Sequence, residues 1–320
     1  MTFGDISAFD HQETFQEQAL SHFEKLDINI EVKDEKRYLS PISVEESYAS
    51  EKTDKPQSHV VLAWLLGRST DLGELFQAEL VSSVLLDNSA SPLLRALETS
   101  DLGSSPSTMC GLEDSNREMS MMAGLEGCTA ESSEAVESLI IKTLEDVVKN
   151  GIPYPQVEAA LHQLELSQRE ISGDSYPYGL QLILAGLSTA MHRGDPIKLL
   201  NIDPVLAELR ELITDERFIP NLVQKLLLDN PHRVRLTLKP DSELAKRKVQ
   251  AELDQLTSIK SALNDDEKLA IITQAKQLAA RQTEEDDPGL LPKVGLEDVP
   301  EFISEPERFD TVLSLSLIHI

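Results

Sequence analysis

Residues 58–67 read SHVVLAWLLG, a short and nearly continuous apolar run that ends at Gly67. A run of this kind is typical of a central β-strand that is buried on both faces of its sheet. Directly after it, Asp71 begins a pattern of apolar residues at helical spacing that continues to about Asp87. We therefore predict a buried strand followed by a helix, and the rest of the fold is read outward from this pair.

Two further stretches alternate between apolar and polar residues as strands do. Residues 117–124 read REMSMMAG, and residues 233–239 read RVRLTLK, where we expect Val234, Leu236 and Leu238 to point into the core and the basic residues to point outward. Helices are predicted at 71–87, 91–98, 129–150, from 155, at 177–192 (buried), from 203 and at 216–229. Strands with helices collected on one side predict an α+β two-layer sandwich, with helices packed on one face of a mostly antiparallel sheet.

The flanking segments differ in texture from this central part. Residues 1–6 resemble the end of a strand, and Asp10 is expected to cap a short helix whose Phe15 and Phe23 point inward. Residues 27–57 are polar and contain two prolines, which predicts a solvated connector. Residues 241–283 have helical periodicity interrupted once near Asn264, which predicts a helical hairpin.

The net charge restricts the classes of partner. The chain has 320 residues with 29 Lys and Arg against 56 Asp and Glu, which gives a formal net charge of −27. Nucleic acids and anionic membranes attract clustered basic residues, so neither is expected as a partner. There is no apolar run near the length that spans a bilayer, and the first residues lack the pattern of a secretory signal. Two cysteines in such a chain favour a reducing compartment, either the cytoplasm or an organelle matrix.

The histidines do not form a recognisable metal-binding pattern. None of the seven lies three to five residues from another, and neither HExxH nor HxxEH occurs in the sequence. His59 and His232 each lie at the edge of an apolar strand, and we interpret both as structural. His162 and His192 lie within or at the end of helices, where we expect them to face solvent or to contact carbonyl groups.

Other candidates for chemistry also have simpler interpretations. Cys110 has no His near it in sequence and is interpreted as a buried or unreactive thiol. The methionines at 119, 121 and 122 can form an adaptable or soft-metal surface, but their alternation favours core packing. The acidic run from Glu284 to Asp287 lacks the spacing of a calcium loop. No nucleophile elbow, Walker loop or dinucleotide-binding motif occurs, so we predict no catalytic or metal-binding residue and leave the substrate-binding residues unknown.

The order of several segments resembles one family of enzymes. The stretches SHVVLAWLLG, LLDNSASPLLRALETSDLGSS and GLEDSNREMSMMAGLEG, followed later by LLLDNPHRVRLTLKPD, are similar to the second domain of presequence proteases. These are zinc metallopeptidases of the pitrilysin/insulinase family. The resemblance covers about residues 1–308, and the segment after Pro240 resembles the linker between the two halves of such enzymes.

The resemblance implies a function for the larger protein. Family members have four related domains of the mitochondrial-processing-peptidase type, which form a closed chamber where presequences and other unfolded peptides are cut. Their zinc is bound in the first domain by an HxxEH helix and a distal Glu, and the Glu of the motif is the general base. Because those segments have no counterpart here, the resemblance implies that this chain binds no zinc and is inactive alone. It forms chamber wall and hinge, and its expected partners are unfolded peptides and the missing parts of the polypeptide.

The resemblance also divides the chain. We expect a remnant of the catalytic domain at 1–26, a connector at 27–57, the non-catalytic domain at 58–240, a hairpin linker at 241–283, an acidic connector at 284–310 and a non-native tail at 311–320. Met1 is expected to be an internal methionine of a truncated gene. The alternative is a catalytically inactive subunit of the same family that binds peptides or has a structural role. The acidic charge is interpreted either as an attractor of basic presequences or as a solubility feature.

Overall fold

The computed structural model describes residues 7–25, 31–51, 57–169, 177–285, 289 and 295–299. The chain divides into two compact units, residues 1–248 and residues 249–320. The predicted strand at 1–6 and the predicted tail at 311–320 lie outside the described residues, as does most of the predicted acidic connector at 284–310. The first unit contains the sheet and most of the helices, and it is described first.

A single mixed sheet organises the first unit. Its strands are β1 (Ile42–Ala49), β2 (Ser58–Arg68), β3 (Ser105–Pro106), β4 (Gly111–Glu113), β5 (Glu118–Cys128) and β6 (Arg233–Asp241). The strand order is β1-β6-β2-β5-β3, and β4 also pairs with β5. Among the described strands only β1 and β6 pair in parallel, and the other pairs are antiparallel. The mostly antiparallel sheet and the central position of β2 are therefore confirmed.

The helices follow the predicted order. They are α1 (Ala8–Gln18), α2 (Leu72–Leu86), α3 (Pro92–Glu98), α4 (Ser133–Asn150), α5 (Tyr154–Arg169), α6 (Tyr178–Met191), α7 (Pro196–Leu200), α8 (Asp203–Leu212), α9 (Phe218–Val223), α10 (Leu244–Ala262) and α11 (Asp265–Gln282). A π-helical turn, Gln224–Leu228, continues α9. Their boundaries have local causes: the Asp71 carboxylate accepts a hydrogen bond from the N–H of Glu74 at 3.0 Å, and Gly151, with φ of 75°, ends α4.

One core joins the sheet to the helical layer. From β2 it takes Val60, Leu62, Trp64 and Leu66, and from β5 it takes Met119, Met121, Ala123 and Leu125. The helices contribute Phe76, Leu80, Leu85, Leu93, Ile140, Leu144, Leu161, Leu206 and Val223, among others. Alternate residues of β2 and β5 therefore face the helices, as the period of a strand requires. The α+β two-layer architecture is confirmed.

The orientation of β6 differs from the prediction. Its polar residues, not its apolar ones, face the helical layer: Thr237 is 2% exposed and donates a hydrogen bond to the Ser133 hydroxyl at 3.0 Å. Arg233 and Arg235 form ion pairs with Glu137 of α4 at 3.1 and 2.8 Å. The predicted assignment of faces was wrong because a shared carboxylate on α4 stabilises both guanidinium groups inside the layer.

Two segments predicted to lack regular structure contain strands. The connector at 27–57 contains β1, whose Ile42 pairs with Val234 and whose Tyr48 pairs with Pro240. The Gly- and Ser-rich stretch at 99–115 contains β3 and β4. In each case pairing with a neighbouring strand supplies hydrogen bonds that local sequence preference does not reveal.

Helix α6 was predicted to be buried, and this was wrong for most of its apolar side chains. Among its residues only Gly179, Gly186 and Thr189 are buried. Its exposed large apolar residues are Tyr178, Leu180, Leu184, Leu187 and Met191. The small residues face the body of the unit, so α6 has an apolar stripe directed away from it.

The N-terminal helix also exposes apolar side chains. Ser7, not Asp10, caps α1 by accepting a hydrogen bond from the N–H of Phe9. Phe15 and Phe23, which were predicted to point inward, are 55% and 76% exposed. The inward orientation was therefore wrong, because no described element of the first unit covers this face. The assignment of residues 1–26 to a preceding domain stays a prediction.

The second unit consists mainly of α11 and the larger part of α10. Asn264 and Glu267 form a capping box at the start of α11, with hydrogen bonds of 2.9 and 2.8 Å. The helical spacing predicted for 241–283 is confirmed, and its apolar residues, such as Leu253, Leu256 and Leu269, are more than half exposed. No described helix combines the length and the apolar character required for crossing a membrane.

Candidate functional site: the open face of the sheet

The face of the sheet opposite the helices is the best candidate for a functional surface. The pairing register places Val44 beside Leu236, and Leu236 beside Val61. The side chains on this face are Ile42, Val44, Val61, Ala63, Leu65, Met122, Val234, Leu236 and Leu238. None of them belongs to the core cluster shared with the helices, and all except Val61 are partly exposed. The sheet therefore presents an apolar surface with no described helix over it.

Polar and aromatic groups mark one end of this open face. Tyr48 of β1 and His59 of β2 contact edge to face, with ring centroids 5.2 Å apart. His59 Nδ1 lies 3.9 Å from the carboxylate of Glu126. Glu126 also accepts a hydrogen bond from the N–H of Thr108 at 2.8 Å, and hydrogen bonding with Thr108 lowers the pKa of this carboxyl. A fixed carboxylate therefore adjoins the apolar surface.

The other end of the sheet holds residues 31–38, which precede β1. The rings of Tyr38 and His232 stack with centroids 4.2 Å apart, and the Tyr38 N–H donates to His232 Nδ1 at 3.2 Å. Arg37 pairs with Glu118 at 2.6 Å. Burial, followed by the charge of Arg37, lowers the pKa of His232, so its imidazole accepts the hydrogen bond in the neutral form.

Asp34 strengthens this attachment. Its carboxylate forms ion pairs with Arg68 and with Arg117, and these hydrogen bonds lower its pKa to about 2. Residues 31–38 are thus attached to the end of the sheet, whereas the sequence predicted a solvated connector there.

The remaining histidines and cysteines lie apart from one another in the sequence and have separate contacts. His162 is exposed on α5, and His192 Nε2 lies 3.0 Å from the carbonyl oxygen of Ser115. Burial raises the pKa of the thiol of Cys110 and of Cys128, which disfavours the reactive thiolate in both. These positions agree with the structural interpretations from sequence.

The methionines and the acidic run also have clear locations. Met119 and Met121 are each 1% exposed in the core, as predicted, whereas Met122 lies on the open face. Glu284 is exposed, and residues 286–287 of the acidic run lie outside the described residues.

Sequence reasoning missed one unusual carboxyl group. Glu79 of α2 has a buried Oε2 atom that has no hydrogen-bond partner among the described residues. Burial, with a smaller contribution from the charge of Asp114, raises its pKa to about 7. The available signal was an acidic residue directly between the apolar residues Ala78 and Leu80 in the middle of a largely apolar helix.

The described residues do not fit the zinc site that the resemblance implies for the larger enzyme. Within the described ranges, no three His, Cys, Asp or Glu side chains are grouped closely enough to hold a metal ion. Residues 76–80 read FQAEL, which has the spacing of HxxEH, but Phe76 and Leu80 replace the two histidines and are buried in the core. Residues 162–166 read HQLEL, where Leu166 replaces the second histidine. We therefore derive no zinc-dependent step for this chain.

Comparison with known proteins now identifies the family. Residues 1–164 match the model of the Peptidase M16 inactive domain, and residues 238–316 match the model of the region associated with subfamily C of the M16 peptidases. The chain belongs to the M16 peptidase family. The M16 fold is also found in a crystal structure of the peptidase M16 inactive domain from Pseudomonas fluorescens. That structure is 17% identical with a TM-score of 0.51, and the match covers 74% of this chain and 52% of that one.

Presequence proteases are among the relatives of this M16 chain. Mitochondrial presequence protease of Xenopus tropicalis is 31% identical over 304 residues, which cover 93% of this chain and 29% of the relative. Presequence protease 1 of Arabidopsis thaliana, named as chloroplastic/mitochondrial, is 30% identical over 279 residues, which cover 84% of this chain and 26% of the relative. The chain thus spans less than a third of the length of these relatives.

Proposed function

We propose that this chain is the non-catalytic second domain and linker of a presequence-protease-like zinc endopeptidase, and that it forms chamber wall and hinge. The open face of the sheet is the part of the wall that contacts unfolded peptides. The observation that carries this proposal is the two-sided sheet: one face is covered by helices, and the other presents an apolar surface. The relatives named as presequence proteases support the substrate class.

The chemistry of the open face suits extended peptides of mixed character. Val44, Leu236 and Met122 supply apolar area for hydrophobic side chains, since burial of such area is the main favourable term in association. Glu126 beside His59 and the overall charge of −27 favour peptides with basic residues. A presequence that is unfolded, basic and partly apolar matches both features.

A cleavage assay tests the absence of catalysis by this chain alone. The purified chain is titrated with zinc and incubated with an unfolded basic peptide, and we expect no zinc-dependent cleavage. Stoichiometric zinc binding together with cleavage would overturn the assignment to the non-catalytic part. The genomic sequence upstream of Met1 gives an independent test, since we expect an in-frame HxxEH motif there.

Site-specific photo-crosslinking tests the role of the open face. A photoreactive residue is placed at Leu236 on the open face, and the matched control is placed at Leu166, which is 51% exposed on α5 in the helical layer. We expect an unfolded basic peptide to crosslink at position 236 and not at position 166. Equal labelling, or labelling only at 166, would contradict the proposed peptide-contacting face.

The alternative role, an inactive subunit that binds peptides or serves as a structural component, differs in its requirement for a catalytic partner. In that case the chain is expressed as such and associates with a separate protease, whereas our proposal requires one continuous polypeptide. We further propose a reducing compartment, such as an organelle matrix in a eukaryote, since Cys110 and Cys128 are both free thiols.

A further inference from the structure

Glu79 lies between two adjoining cavities in the helical layer. The first, of about 250 Å³, lies beneath α6 and is lined by Asp114, Ser115, Leu184 and Ser188 as well as by Glu79. The second, of about 430 Å³, extends along α2 toward Asp87. The buried Oε2 atom of Glu79 has no described hydrogen-bond partner. An ionised carboxylate in this position is costly because it has lost water without gaining donors.

The groups that face Glu79 do not neutralise it. The turn after β4 contributes Asp114, whose own pKa is raised by burial, and α2 contributes Asp87. Helices α5 and α6 contribute only uncharged residues to the described lining of the two cavities, and α3, α8 and α9 contribute none. Among the residues that the structure describes, no basic side chain lines either cavity. Ionisation of Glu79 therefore places two carboxylates near each other in partly dry surroundings.

Helix α6 covers this acidic pair and is weakly attached. Its polar attachments lie at its C-terminal end on the turn next to Asp114: Ser188 Oγ donates to the Ser115 carbonyl at 3.2 Å, and His192 Nε2 lies 3.0 Å from the same oxygen. Arg117 donates to the His192 carbonyl at 3.4 Å, although this guanidinium is also paired with Asp34. Since α6 buries few apolar side chains, moving it costs less than moving α2 or α4.

The chain also has a backbone feature suited to motion at the end of α6. Arg193 has a positive φ of 65°, and a Cβ on Gly194 would lie 2.6 Å from Thr189 and 2.9 Å from Thr70. The helix therefore ends in a sharp turn that lies close to the body of the unit at residues 193–194. Movement of α6 about this turn opens the first cavity to water.

We propose that α6 is a pH-sensitive flap: protonated Glu79 keeps α6 closed over the acidic pair, and ionised Glu79 beside Asp114 opens it. In the protonated form the carboxyl O–H can donate a hydrogen bond, and the repulsion from Asp114 is absent. In the ionised form, access of water to both carboxylates compensates for the lost contacts of α6. This flap does not depend on the proposed peptidase role.

Hydrogen exchange of the whole chain tests the flap. Exchange of α6 is followed at pH 6, 7 and 8, with labelling times scaled for the intrinsic rate at each pH, and α4 serves as the internal reference. We expect the protection of α6 to fall roughly tenfold between pH 6 and pH 8, following the ionised fraction of one carboxyl group, while α4 stays constant. A protection of α6 that is independent of pH would overturn the proposal.

Two variants assign the effect to Glu79. Glu79→Gln keeps the shape of the protonated side chain, so its α6 should remain as protected at pH 8 as at pH 6. Asp87→Asn is the matched control, since Asp87 lines only the second cavity and binds the Ser83 hydroxyl; its pH dependence should equal that of the unmodified chain. Retention of the full pH dependence in Glu79→Gln would refute the assignment.

A carboxyl titration by carbon NMR provides a test without substitution. The midpoint of Glu79 in the unmodified chain should coincide with the midpoint of the change in α6 exchange. A Glu79 carboxyl that titrates well below the pH of that change would refute the flap, even if Glu79→Gln does not fold. Folding of the variant is checked by the fluorescence of Trp64, which is buried and donates to the Leu227 carbonyl at 2.9 Å.

Discussion

Helices α2 and α6 are similarly apolar in sequence but have different surroundings. Helix α2 reads LGELFQAELVSSVLL and buries Leu75, Phe76, Ala78, Leu80, Val81, Val84 and Leu85. Helix α6 reads YGLQLILAGLSTAM and buries only Gly179, Gly186 and Thr189. The first packs against β2, β4 and the helices α3, α5, α8 and α9, whereas α6 packs mainly on α7 and the turn after β4.

This difference shows what an apolar pattern does and does not imply. Apolar side chains at helical spacing indicate that a helix face is suited to burial, but the pattern does not identify what covers that face. The cover of α2 is supplied by the described part of this chain. For a chain that spans less than a third of its relatives' length, the exposed stripe of α6 is consistent with a surface that belongs inside a larger protein.

The largest expected effect is at the buried helix. Replacing Leu80, which is 0% exposed, by Ala removes a side chain from the centre of the core and leaves a cavity. We expect the free energy of unfolding to fall by about 2–5 kcal/mol. Urea unfolding followed by Trp64 fluorescence measures it. A loss below about 1 kcal/mol would mean that α2 is no better packed than α6.

The intermediate effect is at Glu79, which lies on α2 but beneath α6. Its pKa is raised from about 4.5 in the unfolded chain to about 7 in the native state, so the native state binds the proton more tightly. This group therefore destabilises the fold increasingly as the pH rises from 4.5 to 7, by an upper bound of about 3 kcal/mol above pH 7. Glu79→Gln removes this loss.

Unfolding in urea at pH 5 and at pH 8 checks this prediction. The unmodified chain should lose more stability between the two pH values than Glu79→Gln does, and Asp87→Asn should behave as the unmodified chain. Equal losses in the unmodified chain and in Glu79→Gln would mean that the carboxyl group is not buried as described.

The smallest expected effect is at the exposed helix. Leu184 is 47% exposed on α6, and Leu184→Ala should change the free energy of unfolding by no more than about 0.5 kcal/mol. The same substitution should reduce binding of a hydrophobic dye, since it removes part of the apolar stripe. A destabilisation as large as that of Leu80→Ala would show that α6 is covered in solution, and the comparison of the two helices would then fail.

The predictions that succeeded depended on local patterns. The strand at 58–66 and the helices beginning near Asp71 and ending at Gly151 were found because apolar spacing, caps and a terminal glycine agree with one another. The orientation of β6 was predicted wrongly because alternation identifies two faces without saying which one meets the helices. Its outcome depends on Glu137, which lies 96 residues away from Arg233 along the chain.

The candidate site shows the same division. The residues of the open face were visible in sequence as apolar strand positions, but Val234, Leu236 and Leu238 were assigned to the core. Glu79 was not recognised, because its raised pKa arises from burial and from Asp114, which is distant in sequence. Residues 31–38 were assigned to a solvated connector, because their ion pairs with Arg68 and Arg117 form only in the folded chain.

By itself, the sequence determined the secondary structure of the central elements, the two-layer class and the family, because periodicity, capping residues and segment order are local properties. Only the tertiary structure decided which sheet face is open, which apolar helix is covered and which carboxyl group is buried. Each of these depends on groups brought together from distant parts of the chain, and their energies come from desolvation and pairing that no local pattern records.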